Sequence, residues 1–561
     1  MRMKPILRQD GTCETPARVG AFGKKRVCHQ KFRDCIHKAL ILSISFAASA
    51  LNRGSAQHQL IFSAAPSAPD SNQIPKTWDD DALRTFEVPL ADPDYSPVQV
   101  PASFYYQIPE RPIYKSYPVY APGREPRGYW ERLTSTPPEV VWGRDENGVE
   151  HRPLLRTKAD WVRAGELVFE AGISYSDGPG FLPSLANVRD PKYYEALHPP
   201  LSANGVLPFG NYVIRKQGKV EFSQLSCAAC HTRVLPDGTV IKGAPTNLAF
   251  DRSVTYNAPY FKKLSPDAQK ATLTRLASAF HTNYGAPWLH PDPADAYGEM
   301  TFEKLAQMAG ATPPGVIPRG GTSVLYPPQV PDLIGIKDRF YLDHTGLERH
   351  RGPGDLMRYA ALNQGMNMWG RYGTWIPAAE DGKLPPPASL SRYSDEQLYA
   401  LSLFLYSLQP PPNPNKFGEL AAYGQKVFNK SGCAGCHAPP LYTNNKLTLA
   451  KGFQLPTDTH GDRVTPITVG TDSRLALQTR RGTGYYKVPS LKGVWYRGPF
   501  EHGGSVAKLE DWFDPARLRD DYVPTGFVGY NVKHRSVQGH EFGLNLSAEE
   551  RRALIAFLRT L

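Results

Sequence analysis

The sequence predicts a mainly α protein: two helical domains with long loops, joined by a short linker and preceded by an extended leader. Three observations predict it. Two helices of one type recur, over 394–408 and 547–561. Two Cys-x-x-Cys-His motifs recur, one ahead of each of those helices. A proline run from Pro410 to Asn415 separates the two stretches. At 561 residues the chain exceeds one ordinary core, which agrees with two domains or more.

The first recurring helix, SDEQLYALSLFLYSL, sets Leu398, Leu401, Leu405 and Leu408 on one face. The second, SAEERRALIAFLRTL, does the same with Leu554, Phe557, Leu558 and Leu561. Both open on a capping-box pattern, Ser394 with Gln397 and Ser547 with Glu550. The halves also begin alike, AGELVF at 164–169 and YGQKVF at 423–428, where Gly165 and Gly424 permit a close helix crossing. Cys433 follows its glycine by nine residues and Cys227 by 62, so a long insertion interrupts the first half. The run PPPNPN cannot be helical and marks the boundary between domains at 158–409 and 416–561. Residues 57–157 are rich in Pro and Tyr with little periodicity, and are expected to wrap the first domain as a leader. Further helices are expected over 265–284, 301–310 and 355–369.

Residues 1–56 read as an export signal or, if retained, an anchor. Lys24, Lys25, Arg26, Lys31, Arg33 and Lys38 precede an apolar stretch from Ala39 to Leu51, and cleavage after Ala56 fits the small residues that follow. The mature chain is then periplasmic or secreted, and meets a membrane only if this segment is kept. Much of the formal charge of +12 also sits here: eleven Lys/Arg against three Asp/Glu, with 54 against 50 in the remainder. No nucleic-acid partner is expected, because the basic excess lies in the segment to be removed. No apolar run reaches 18 residues, so no ordinary membrane span is predicted.

The seven cysteines divide cleanly. Cys13, Cys28 and Cys35 lie within residues 1–56, whereas Cys227, Cys230, Cys433 and Cys436 form two pairs followed at once by His231 and His437. Two cysteines at this spacing can each form a thioether to one edge of the same porphyrin, and the adjacent histidine then reaches the iron. A redox dithiol would not need the histidine, and no βαβ pattern surrounds either motif. Zinc would use two nearby pairs as one site, an alternative that the 206 residues between these pairs leave open. Two covalently bound haem c groups are therefore expected, and the two helical domains become two cytochrome-c-like haem domains.

The stretch YKVPSLKGVWYRGPFEHGGSVAKLEDWF, residues 486–513, resembles the segment after the second haem site of bacterial di-haem cytochrome c peroxidases. It is also similar to the related methylamine-utilisation haem enzymes and the secreted rubber oxygenases, and GHEFG at 539–543 looks most like the last group. The resemblance covers residues 160–561 and is fullest from 420 on. It implies an N-terminal haem that reacts with peroxide or O2 and a C-terminal haem that passes or stores electrons. It further implies a small redox protein or a quinol-linked donor as partner. Members of the family hold a calcium between the haems, mostly through carbonyl oxygens; no acidic loop marks such a site here.

What stands opposite His231 and His437 decides whether each iron is open. All seven methionines lie at or before Met368, so none serves the second haem locally. His460, His502, His534, His540 and several tyrosines are candidates; His502 is chosen because PFEHGGS matches the family motif at this haem, the plainer alternative being a histidine hydrogen-bonded in a turn. For the first haem, VPDLIGIKDRFYLDHTG at 330–346 resembles the family stretch that often carries a tryptophan between the haems, and Tyr341 stands near that place. Tyr341 is thus either a relay or simple packing. Arg358, Asn363 and Gln364 fall together on the expected helix, where they either orient peroxide or O2 or face solvent. His344 and His350 are possible ligands that would close the first haem, and Asp343 and Glu348 are possible acid–base groups by type. The reading is an exported di-haem oxidoreductase, peroxidase-like, with a non-catalytic electron carrier and an oxygenase of a hydrophobic substrate as alternatives.

Overall fold

Both recurring helices form, and each begins at the capping residue the sequence marks. The structure, a computed structural model, describes residues 73–176, 182–249, 252–379 and 382–561. Four helices carry its repeated frame: α1 (Lys158–Glu170), α2 (Asp395–Ser407), α3 (Glu419–Lys430) and α4 (Ala548–Arg559). Thr157, Ser394 and Ser547 each close a capping box at the start of α1, α2 and α4. The other expected helices appear as Pro266–Tyr284, Phe302–Gly310 and Pro353–Asn363. The last stops short of 369 because Gly365, at φ +106, breaks it before a separate turn at Met366–Met368.

α1 packs on α2, and α3 on α4, by one and the same contact. A Cβ added to Gly165 would overlap the carbonyl oxygen of Ala400 and lie 2.8 Å from Cβ of Phe404. A Cβ added to Gly424 would overlap the carbonyl oxygen of Ala553 and lie 2.8 Å from Cβ of Phe557. The helices therefore touch backbone to backbone. Phe169, Leu398, Leu401 and Phe404 fill the first junction, and Val427, Phe428, Leu554 and Phe557 the second.

The chain is mixed α/β, more helical than sheet, which corrects the expectation of a mainly α fold. The described residues contain five small sheets. The insertion between α1 and Cys227 is the main source. Its strands β1 (Asn211–Lys216) and β2 (Lys219–Gln224) form a tight hairpin, with Gly218 at φ +74 in the turn. Ser116–Tyr117 and Ser174–Ser176 pair antiparallel to β1 and β2, respectively, as outer strands. All but the first residue of β2 are buried, which removes the alternation by which a half-exposed strand is read.

Residues 73–157 pack against the first helix pair. Trp78, Phe86, Tyr105, Ile108, Ile113 and Trp142 share one core with Trp161, Val168, Phe169, Leu398 and Phe404. Trp78 stacks on Tyr105 at 3.6 Å. Helices here, such as Asp80–Phe86 and Ala102–Gln107, are too short to show a helical period. Residues 57–72 of the expected leader and the expected export segment 1–56 lie outside the described residues. The described residues all belong to one compact unit. Among the described residues no helix is long and apolar enough to cross a membrane.

Gly424→Ala is expected to lower stability by about 1–3 kcal/mol, toward the upper end because the overlapped atoms are backbone. Thermal unfolding checks this; a surface control in the same helix, Gln425→Ala, should leave the midpoint nearly unchanged.

Candidate functional site

The second motif follows α3 directly. Gly432, at φ +76, ends the helix and turns the chain into the tight coil Cys433–Gly435. His437 N–H donates to the Cys433 carbonyl at 2.8 Å, which places cysteines and histidine on one wall. His437 Nδ1 lies 3.1 Å from the Pro489 carbonyl and 3.2 Å from that of Tyr442. A proton on Nδ1 satisfies these acceptors and leaves Nε2 with its lone pair. The ring borders a cavity of about 280 Å³ with Cys433, Cys436, Phe428, Trp512, Phe513, Leu554 and Leu558 around it.

Across that cavity stands His540. Its ring centre is 6.3 Å from that of His437, with the planes at 57°. Two imidazoles bound to opposite faces of one metal by bonds of about 2 Å hold their centres about 6 Å apart. His540 adopts the left-handed conformation at φ +47, and its N–H donates to the Val469 carbonyl at 2.6 Å. Fully buried Arg517 holds the loop, donating to the His540 carbonyl at 2.9 Å and to the Trp512 carbonyl at 2.9 Å. Burial pushes His540 down to about 4, so the imidazole is neutral and able to ligate. Its Nδ1 is buried without a partner.

His502, the residue chosen from sequence, lines the same cavity. It stacks on Tyr486 at 4.1 Å and 10°, and its Nε2 lies 2.7 Å from Glu501 Oε1. Glu501 in turn accepts from Gly503 N–H at 2.9 Å and the Ser505 hydroxyl at 3.0 Å. The turn is closed on itself, and His502 forms part of the cavity wall. His534 sits on the surface with Nδ1 at the Asp520 carbonyl, and His460 is exposed beside Asp458. His540 lies within GHEFG; Gly539 is needed there because an added Cβ would overlap the backbone of Gly470 and Thr471.

The cavity has a cationic side. Arg339 donates to the carbonyls of Asp332 and Ile334, and Arg497 donates to that of Ser490 at 2.7 Å while its Nε is buried without a partner. Lys487 Nζ donates to the Leu342 carbonyl at 2.7 Å, and burial beside Arg339 pushes it down to about 7. Asp332 is the buried carboxylate facing them, and burial raises its own pKa. Such a wall favours an anionic guest.

The first motif leaves the β1–β2 hairpin through Ser226, whose hydroxyl caps the short helix Cys227–Cys230. His231 N–H donates to the Cys227 carbonyl at 2.8 Å, as in the second motif. Burial and the Arg319 charge push His231 down to about 4, partly offset by the Pro331 carbonyl. Pro331 lies in VPDLIG, the counterpart of VPSLKG around Pro489. Gly335 and Gly493 have φ +75 and +76, and Ile336 and Val494 donate back to Leu333 and Leu491 alike. This internal repeat was readable in the sequence and was missed. No disulfide joins the four motif cysteines, and burial pushes Cys227 up to about 12 and Cys433 to about 11.

The other expected residues divide. Gln364 reaches the first motif, with Nε2 3.7 Å from Cys227 Sγ and a buried Oε1 lacking a partner. Asn363 is tied to Arg319 and to the Tyr359 carbonyl at 2.9 Å. Arg358 instead clamps Asp355 at 2.7 Å and the carbonyls of Lys76 and Thr77, so it orders the N-terminal core rather than facing either motif. Tyr341 borders the second cavity; its hydroxyl donates to Asp462 at 3.2 Å and accepts from Arg463 N–H at 2.9 Å. His350 has both nitrogens engaged, by the Arg339 carbonyl and the Tyr406 hydroxyl, each at 2.7 Å. His344 bonds the Gln329 carbonyl at 2.6 Å and borders the second cavity, not the first motif. Asp343 and Glu348 both bind Arg481 in the interior. Among the described residues no group of three or more His, Cys, Asp or Glu is arranged to hold a metal ion.

No family model matches the chain. It is 30% identical over 145 residues to the methylamine utilization protein MauG of Methylorubrum extorquens, a stretch covering 26% of this chain and 35% of that protein. The chain thus spans about a third of the length of the curated relative it matches. Among solved structures, hydrazine synthase of Kuenenia stuttgartiensis aligns with a TM-score of 0.26 and 17% identity, over 55% of this chain and 92% of that one. A MauG-like protein associated with microbial copper homeostasis aligns at 0.26 and 16%, over 42% and 73%. The sequence relationship is distant, and the structural likenesses are too slight to bear on function.

Burial is the largest influence on Glu87 and Glu348 and pushes them up to about 7 and about 8. Both bind a proton more tightly folded than unfolded, so their contribution to stability is full below about pH 4.5 and fades as pH rises through 7 to 8. The melting temperature should fall over that window, and fall less in Glu348→Gln; differential scanning calorimetry across pH checks it.

Proposed function

We propose that this chain carries two haem c groups, on Cys227/Cys230 and Cys433/Cys436, and acts outside the cytoplasm as a peroxidase-like oxidoreductase. The observation that carries the reading is His540 facing His437 at 6.3 Å across a cavity walled by Cys433 and Cys436. When bound, the haems would supply one-electron chemistry and, where an axial position is open, reduction of peroxide or O2.

The chain's residues then take defined tasks. His231 and His437 hold the two groups from the cysteine side, and the carbonyls of Pro489 and Tyr442 fix the tautomer of His437. His540 closes the second site, which suits electron storage and transfer. Arg339, Arg497 and Lys487 receive the carboxylates of the second group and offset their charge. At the first site, both histidines expected to close it are engaged elsewhere. That favours an enzyme over a carrier, with Gln364 the side chain nearest to orient a small oxidant. Electrons would come from a small redox protein or a quinol-linked donor and enter through the second site.

The test is a pyridine haemochrome count with EPR on protein made with c-type haem maturation. Two haems per chain are expected, with a high-spin signal altered by peroxide and a low-spin signal that is not. His540→Ala should turn the low-spin signal high-spin while keeping the count at two. Fewer than two covalent haems, or a low-spin signal unmoved by His540→Ala, would sink the assignment; two low-spin haems indifferent to peroxide would make the protein a carrier.

A further inference from the structure

Glu87 and Glu348 stand directly opposite each other on an isolated antiparallel bridge. The flanking bonds run from Val88 N–H to the Leu347 carbonyl at 2.6 Å and from Arg349 N–H to the Phe86 carbonyl at 3.0 Å. That pattern is the narrow, non-hydrogen-bonded kind of pair, in which the side chains come closest. Like charges facing each other there are unfavourable even at a surface. Here Glu348 is 1% exposed and its Oε2 has no partner.

The surrounding charges do not neutralise both. Arg481 is shared, binding Asp343 at 3.0 Å as well as Glu348. The Arg481 and Arg319 charges hold Asp343 ionised, well below the usual carboxylate range. Arg319 is itself tied to the Tyr359 hydroxyl at 3.0 Å and to Asn363. Glu87 receives only the Gln99 amide, at 3.3 Å, and Tyr372 adds no charge. Half-buried Glu87 and the interior carboxylates Asp343 and Glu348 thus face the guanidinium groups of Arg481 and Arg319, while Lys487, whose charge acts on Asp343, is itself pushed down to about 7; two like charges this close in low dielectric are not both ionised.

We propose that Glu87 and Glu348 hold one proton between them in the oxidised chain, and that a second is taken up when an electron is added and released when the electron leaves. The inference rests on the proposed haem reading for its electron. The balance is one electron from the donor, one proton from water onto a carboxylate, and the reverse on oxidation. The pair is linked by charge to both motifs: Arg319 acts on Glu348 and on His231, and Lys487 acts on Glu348's surroundings while bordering the second cavity. Half-buried Gln99, which also accepts from the Tyr105 hydroxyl at 3.2 Å, connects Glu87 outward. Burial raises both glutamates into the neutral range, which is where such exchange operates.

The holoprotein is titrated optically between about pH 6 and 9, with haem content measured on the same sample. The apparent reduction equilibrium constant of at least one centre should fall by up to tenfold per pH unit, about 59 mV for a one-electron couple. Glu87→Gln and Glu348→Gln, which keep size and remove the like charge, should flatten it. A slope unchanged in both variants, or absent from the wild type, overturns the proposal. Infrared spectra read the same proton without any haem. A carboxylic C=O band that titrates near neutral pH and disappears in either variant supports the pair, and no such band in the wild type overturns it whatever the haem count. A low haem count with that band present faults the haem reading alone.

Discussion

Everything around the two motifs depends on helices that touch through their backbones. At Gly165 against Ala400, and at Gly424 against Ala553, no side chain intervenes. Removing the side-chain layer brings Phe169 and Phe404, or Phe428 and Phe557, together at 5.2 and 5.3 Å. Those rings anchor the start of the chain that bears each Cys-x-x-Cys-His motif. In the second half the motif follows the crossing within nine residues and inherits its position from it. In the first half a sheet is interposed, and the hairpin β1–β2 returns the chain to an equivalent point. The same bond from the histidine N–H to the first cysteine carbonyl then recurs at His231 and His437, with prolines 331 and 489 in matching loops.

Electrostatics divides the interior. The second cavity is lined by cations whose carbonyl partners leave them short of negative charge. The space around Arg481 has the opposite imbalance, with carboxylates in excess of guanidinium groups. Asp343, Glu348 and Lys487 lie where the two regions meet, and each alters the protonation of the others. A charge arriving on either side would be felt on the other, because a buried, low-dielectric interior screens it weakly.

The parts legible in the sequence were those governed by local rules. Capping boxes at Ser394 and Ser547, the crossing glycines and the motif cysteines each announce themselves within a few residues. What was not legible needed the third dimension. β2 is buried on both faces and loses its alternation, so the sheet was invisible to periodicity. The N-terminal helices are shorter than two full turns and read as irregular chain. His540 and His502 are both histidines beside glycines; only the Arg517-held loop aims one of them at His437, while Glu501 takes the other. Arg358 sits on the face of its helix that Asp355 and the carbonyls of residues 76–77 claim, and nothing local distinguishes that from a ligand-facing arginine.

The burial of the motif cysteines has a consequence for biogenesis. A thiol held near 12, as Cys227 is, or near 11, as Cys433 is, remains protonated at any physiological pH. Protonated thiols are poor nucleophiles. The closed fold therefore disarms these thiols, and on the proposed haem reading their reaction with a porphyrin belongs to the chain before its helix pairs have docked. On that reading attachment comes first and closure of the helix pairs second.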